Sequence, residues 1–215
     1  MSYDNIEKKN MEIINDSLEK TKKLWSTVVN NTTLPGDYRS EVVRSLLVLE
    51  LMRYRESGAT VAALTTSLPE IIGGERNWDY RYSWLRDSAM TVEALTNLCH
   101  FEEARNFMIW LLDCSEDLHI MRDVECEDPP EEETLDHLEG YEGSAPVRIG
   151  NEAKDQKQND IFGEVLESIQ KFFVEYDYVD EMFGAGFSNN DIRDLQFQII
   201  NDYNGGFNKL HESYI

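Results

Sequence analysis

Between Glu152 and Val174 apolar residues recur every three or four positions: Ile161, Phe162, Val165, Leu166, Ile169, Phe172 and Phe173. Only a helix gathers that set on one side, and a one-sided helix needs a second element to cover it. The same period predicts helices over 10–30 (Ile14, Leu18, Trp25, Val28 and Val29), 86–98 (Met90, Val92, Leu95, Leu98) and 102–115 (Ala104, Phe107, Met108, Leu111). A further helix is predicted over 37–56, with Asp37 as N-cap. Its centre, "SLLVLELM", is apolar almost all round, which predicts packing on several sides. The short "HFE" join implies an antiparallel helix pair, and 190–203 is a candidate last helix. No region is strand-rich. The expected fold class is therefore all-α, about six helices partly in hairpins, with a long irregular loop at about 116–150.

Charge narrows the partners. Asp and Glu number 42 against 20 Lys and Arg, a net charge of −22. Such a surface repels nucleic acid and anionic membrane, so neither is an expected partner, whereas a neutral sugar is indifferent to it. The run 125–142, "ECEDPPEEETLDHLEGYE", holds seven Glu and two Asp with no Lys or Arg. It reads as a solvated loop and lacks the spacing of a calcium loop. Cys99, Cys114 and Cys126 are odd in number and have no CxxC spacing, so they read as reduced thiols in a reducing compartment. No zinc, other metal or cofactor is expected. The polar start "MSYDNIEKKN" has no secretory apolar region, and no run reaches the ~18–20 apolar residues of a membrane span. The expected location is the cytoplasm.

One stretch, "GGERNWDYRYSWLRDSA" at 73–89, places Trp78, Tyr80, Tyr82 and Trp84 at alternate positions. In an extended backbone all four face one side, as core or as a stacking surface. Asn77, Asp79, Arg81, Arg86 and Asp87 crowd the same stretch with hydrogen-bonding groups. Aromatic faces beside carboxylates and guanidiniums suit a sugar, whose C–H surface stacks while its hydroxyls bond. The alternatives are structural: Asp87 as cap of the following helix, Arg86 as an ion-pair partner. Within "EGYEGSAPVRIGNEAKDQKQND" (139–160), Gly140, Gly143 and Gly150 permit tight turns. Arg148 lies between Val147 and Ile149, where it needs either a buried partner or a ligand.

These two stretches, with "YRSEVVRSLLVLELMRYRESGATVAALTTSLPE" before them, resemble the bacterial-type glucoamylase, glucodextranase and trehalase enzymes of glycoside hydrolase family 15. The resemblance covers about Trp25 to Phe173. It implies part of an (α/α)6 toroid of helical hairpins over 1–178, followed by a divergent tail over 179–215. It also implies a glucose subsite in which Arg86 and Asp87 hold hydroxyls, Tyr80 and Trp84 form the wall, and Arg148 lies alongside.

The chain departs from the family pattern at the catalytic groups. The resemblance implies an inverting reaction with a general acid in a Trp-Glu motif beyond the "GEVL" helix, and a base many residues later. None of Trp25, Trp78, Trp84 and Trp110 follows Glu164. No catalytic residue is therefore assigned. The expectation is a truncated hydrolase, inactive alone, binding glucose-containing sugar weakly or vestigially. Exposed helix faces would then be covered by self-association or a partner chain. The alternative is a non-catalytic interaction or regulatory protein that uses the helical half-toroid as a docking surface.

Overall fold

The computed structural model describes residues 11–114 and 119–183. Among them are five α-helices: α1 (Met11–Asn30), α2 (Arg39–Met52), α3 (Leu85–Asn97), α4 (Phe101–Asp113) and α5 (Asp160–Phe183). Four two-residue strands pair antiparallel: β1 (Ser83–Trp84) with β2 (Met121–Arg122), and β3 (Glu133–Thr134) with β4 (Arg148–Ile149). The architecture is all-α, with helices joined partly as hairpins. The candidate helix at 190–203 lies outside the described residues. No helix among them is long and apolar enough to cross a membrane.

Helix α3 is the centre of the core, packed against α5 most extensively and against α4. Val165, Ile169 and Phe172 of α5 are almost wholly buried with Leu85, Val92 and Leu95 of α3 and Phe107, Met108 and Leu111 of α4. Burial of each such side chain stabilises by about 1.5–3 kcal/mol. The α3–α4 turn is a Schellman closure. The His100 amide donates to the Leu95 carbonyl (2.9 Å) and the Cys99 amide to the Thr96 carbonyl (3.0 Å), with Cys99 left-handed at φ 66°. This closure swings His100 to the head of α4.

Several expectations change. Helix α2 is entered through left-handed Tyr38 (φ 55°) with no side-chain cap, so Asp37 precedes the turn instead of capping the helix. Nor is α2 packed on several sides: it buries only Leu46 and Glu50, while Val48 and Leu51 are 41 % and 51 % exposed. Ile14 and Leu18 of α1 are also exposed. The helix expected from 152 begins at Asp160, where the apolar stripe begins; a single 3-10 turn at Glu152–Asp155 precedes it. The Asn151 side chain caps that turn, accepting from the Ala153 amide at 3.0 Å. The irregular region at 116–150 carries β2, β3 and β4, and a second irregular segment separates α2 from β1.

The cysteines are not three free thiols. Cys114, closing α4, is disulfide-bonded to Cys126, and only Cys99 is free. The Trp110 indole donates to the Val124 carbonyl (3.2 Å), holding the same two segments together. An odd count with no CxxC spacing does not exclude a single bridge, because a bridge needs only two Cα atoms at the right separation, here 5.5 Å. The inference of a reducing compartment loses its basis with that correction.

Candidate functional site

The segment 78–82 runs extended beside 62–67. The Ala62 amide donates to the Tyr82 carbonyl, the Ala63 amide to that of Tyr80, and the Ser67 amide to that of Trp78, each at 2.9 Å. Between Tyr80 and Tyr82 the alternation breaks. Asp79, completely buried, accepts from Arg81 Nε (2.9 Å), Arg81 Nη2 (2.8 Å) and the Arg81 amide (3.2 Å). That local loop turns Tyr82 inward. Its hydroxyl donates to Asp79 Oδ2 (3.1 Å) and accepts from the Gly150 amide (3.1 Å). Burial, with the Asp79 charge beside it, raises the Tyr82 hydroxyl above its usual value. So the four aromatics do not share a face: Trp78, Tyr80 and Trp84 line a cavity of about 410 Å³, and Tyr82 is part of the scaffold behind it.

Trp84 pairs with Met121 across the β1–β2 ladder and leads straight into α3. Arg86 and Asp87 thus fall in the first turn of α3 and line the same cavity. Asp87 is not the helix cap, a position held by Trp84, but its charge sits at the positive end of the helix dipole. Arg86 Nη1 donates to Asp160 Oδ2 (2.7 Å) and Gln158 Oε1 (3.0 Å), fastening the start of α5 to that of α3. The pair raises the Arg86 pKa and lowers that of Asp160. Burial, then the charges of Glu70 and Asp87, raises the Tyr80 hydroxyl. Tyr80 and Trp84 are tilted at 51° with ring centres 6.3 Å apart. The Trp84 residue is 8 % exposed and its indole nitrogen has no hydrogen-bond partner.

The structure thus gathers Tyr80, Trp84, Arg86 and Asp87 around one cavity and sets Arg148 one layer behind. Arg148 stacks its guanidinium 4.5 Å from the Trp78 ring centre and places Nε 3.3 Å from Glu132 Oε1. Trp78 and Glu132, not Arg148, line the cavity. The β3–β4 ladder brings them together by pairing Thr134 with Arg148. Gly150, at φ 76°, is required here, because a Cβ would run into the carbonyls of Pro130 and Glu131.

Sequence reasoning missed Glu132, Glu152 and Gln158 on the cavity wall. Within the acidic run Glu132 is drawn out of solvent, its side chain 14 % exposed beside Arg148, whereas Asp128 and Glu131 pair with Arg122 and Lys154 while staying exposed. The one available signal was that Arg148 needs a partner, and the nearest concentration of carboxylates precedes it.

Fold and cavity define a class: an all-α protein with an aromatic cavity edged by guanidinium and carboxylate groups at the start of a core helix. The family model for glycosyl hydrolases family 15 matches residues 36–202. The chain belongs to that family. It is 40 % identical over 176 residues to a trehalase of Thermoplasma acidophilum, covering 77 % of this chain and 30 % of the relative. It is 43 % identical over 162 residues to a trehalase of Mycolicibacterium smegmatis, covering 72 % and 24 % respectively. A second trehalase of Sulfolobus acidocaldarius is 42 % identical over 159 residues, covering 70 % and 28 %. The chain therefore spans about a quarter to a third of the length of these relatives. No solved structure matches it.

Proposed function

We propose that this chain supplies the glucose-binding wall of a trehalase-like glycoside hydrolase and does not hydrolyse glycosides alone. The observation that carries the reading is the convergence of Tyr80, Trp84, Arg86 and Asp87 on one cavity. Its volume falls within the range of small-ligand sites. Trp78, Tyr80 and Trp84 offer ring faces to sugar C–H groups, and Asp87 accepts from hydroxyls. Arg86 donates with the guanidinium nitrogens that Asp160 and Gln158 leave free. The trehalase relatives make trehalose the proposed substrate of the whole enzyme.

Hydrolysis requires an acid to protonate the leaving oxygen and, in an inverting enzyme, a base about 6.5–9.5 Å away to activate water. No Trp-Glu pair follows Glu164 in this sequence, and none of the described residues is assigned as the base. Losing a general acid or base costs on the order of 10²–10⁴ in rate each. Weak binding of a glucose-containing sugar is part of this reading.

The test is a purified 215-residue chain assayed against trehalose, maltose and isomaltose, with glucose and trehalose titrated against tryptophan fluorescence. The expected result is no turnover, with a saturable signal that Arg86→Ala and Tyr80→Ala abolish. Turnover lost in Asp87→Asn would overturn the assignment of inactivity. A signal unchanged in both variants would overturn the subsite. The exposed Ile14, Leu18, Val48 and Leu51 favour a second reading, a non-catalytic docking surface or self-association on the α1–α2 side. Light scattering that reports a monomer with no partner would remove it.

A further inference from the structure

A second polar cluster stands away from the sugar cavity, where α2 meets the head of α4. Glu50, His100 and Glu103 line a separate cavity of about 560 Å³ and each offers one donor atom within 4.8 Å of the others. Glu50 and His100 are 7 % and 6 % exposed.

Hydrogen bonding fixes which atoms face one another. The Thr32 hydroxyl donates its single proton to the Val28 carbonyl at 2.8 Å. Its contact with His100 Nε2, also 2.8 Å, must then be one in which Thr32 Oγ1 accepts. Nε2 therefore carries the proton, and in the neutral ring Nδ1 is a bare lone pair. That lone pair faces Glu103 Oε2 at 3.7 Å, an acceptor opposite an acceptor. Arg53 Nη2 takes the other oxygens, Glu50 Oε2 at 3.1 Å and Glu103 Oε1 at 3.9 Å. What remains is Glu50 Oε1, buried and without any hydrogen-bond partner. Three acceptors thus stand without a donor between them, Glu50 Oε1, Glu103 Oε2 and His100 Nδ1, on residues whose ligand atoms lie within 4.8 Å of one another.

We propose that these three groups bind a divalent transition-metal ion of the zinc type. One imidazole and two carboxylates suit zinc, with water from the cavity as the fourth ligand. Tetrahedral ligands at about 2.0–2.2 Å from zinc stand roughly 3.4 Å apart, so a set whose atoms lie within 4.8 Å of one another must contract by up to about 1.4 Å. Thr32 then acts as the orienting partner that fixes the imidazole tautomer. Arg53 offsets one of the two carboxylate charges, leaving the space between the acceptors negative. The competing occupant of that space is a second proton on His100, which would make an imidazolium–Glu103 pair with no metal.

The experiment is calorimetric titration of the EDTA-treated full chain with ZnCl2, in a Cys99→Ser background because Cys99 lines the same cavity. Excess Mg2+ suppresses loose binding to surface carboxylates. The expected result is one zinc per chain, weakened more than about tenfold by Glu50→Gln and by His100→Gln, since loss even of an orienting neighbour costs about 10–100-fold. Glu50→Gln keeps an oxygen for Arg53, so it decides the matter if His100→Gln does not fold. Co2+ in place of Zn2+ should give visible bands of a low-coordinate site that Glu50→Gln removes. No zinc uptake, or uptake unchanged in Glu50→Gln, overturns the proposal.

Discussion

Arg81 closes a two-pronged pair on the carboxylate of Asp79, two residues before it, and Asp79 is completely out of contact with water. The pair is lopsided: the Arg81 side chain is 44 % exposed while that of Asp79 is 0 %. Asp79 also receives the Tyr82 hydroxyl, and its carbonyl receives Asn151 Nδ2 at 2.9 Å. Asp79 therefore joins the aromatic strip to the 148–155 loop, its carboxylate through Tyr82 and its carbonyl through Asn151.

Asp79→Ala should destabilise the chain by about 2–4 kcal/mol, because it strands the Tyr82 hydroxyl in a buried setting and removes the turn at 79–81. Asp79→Asn should cost less, as the amide still accepts one bond. Denaturant midpoints of the two variants, at unchanged slope, check the order.

Arg148→Met keeps the aliphatic length but removes the charge over Trp78 and leaves Glu132 half-buried without its partner. The expected cost is about 1–3 kcal/mol. Adding Glu132→Gln should recover part of it, so the double-mutant cycle should show a coupling of about 1 kcal/mol. An additive pair would mean that the contact contributes nothing.

The Arg86 guanidinium, opposed by desolvation, holds the Asp160 carboxyl below its usual range. A lowered folded value stabilises above the unfolded value near 3.9, and the gain is lost as pH falls through the folded value. Wild type should therefore lose stability faster than Asp160→Asn below about pH 3.9. The difference between the two should be level above about pH 5. Thermal melts from about pH 2 to pH 7 read it directly.

The Cys114–Cys126 bridge spans a separation of 12 residues. Closing a loop of that size stabilises by about 3 kcal/mol. Cys114→Ser with Cys126→Ser, or reduction of the wild type, should lower the denaturation midpoint accordingly. Intact mass without reductant should be two hydrogens below the fully reduced mass. A mass identical before and after reduction would refute the bridge.

The gathering of four candidate residues on one cavity was legible because it is local. Tyr80, Trp84, Arg86 and Asp87 lie within eight residues, and an extended strip feeding a helix carries them to one cavity by backbone geometry alone. Tyr82 escaped the same logic because a side chain, Asp79, reset the backbone two residues on. Arg148 was located but not placed, since Glu132 holds it across a two-residue ladder that leaves almost no periodic trace.

The sequence by itself determined the helices, the α3–α4 hairpin, the family and the aromatic strip. Each follows from spacing along the chain, where burial of a stripe or the span of a motif sets the answer. The tertiary structure alone decided the pairing of Cys114 with Cys126, Arg86 with Asp160 and Arg148 with Glu132, and the approach of Glu50 to His100. Those partners are 12 to 74 residues apart. Charge and thiol chemistry select no partner at such distance until packing of the helices brings the groups within reach.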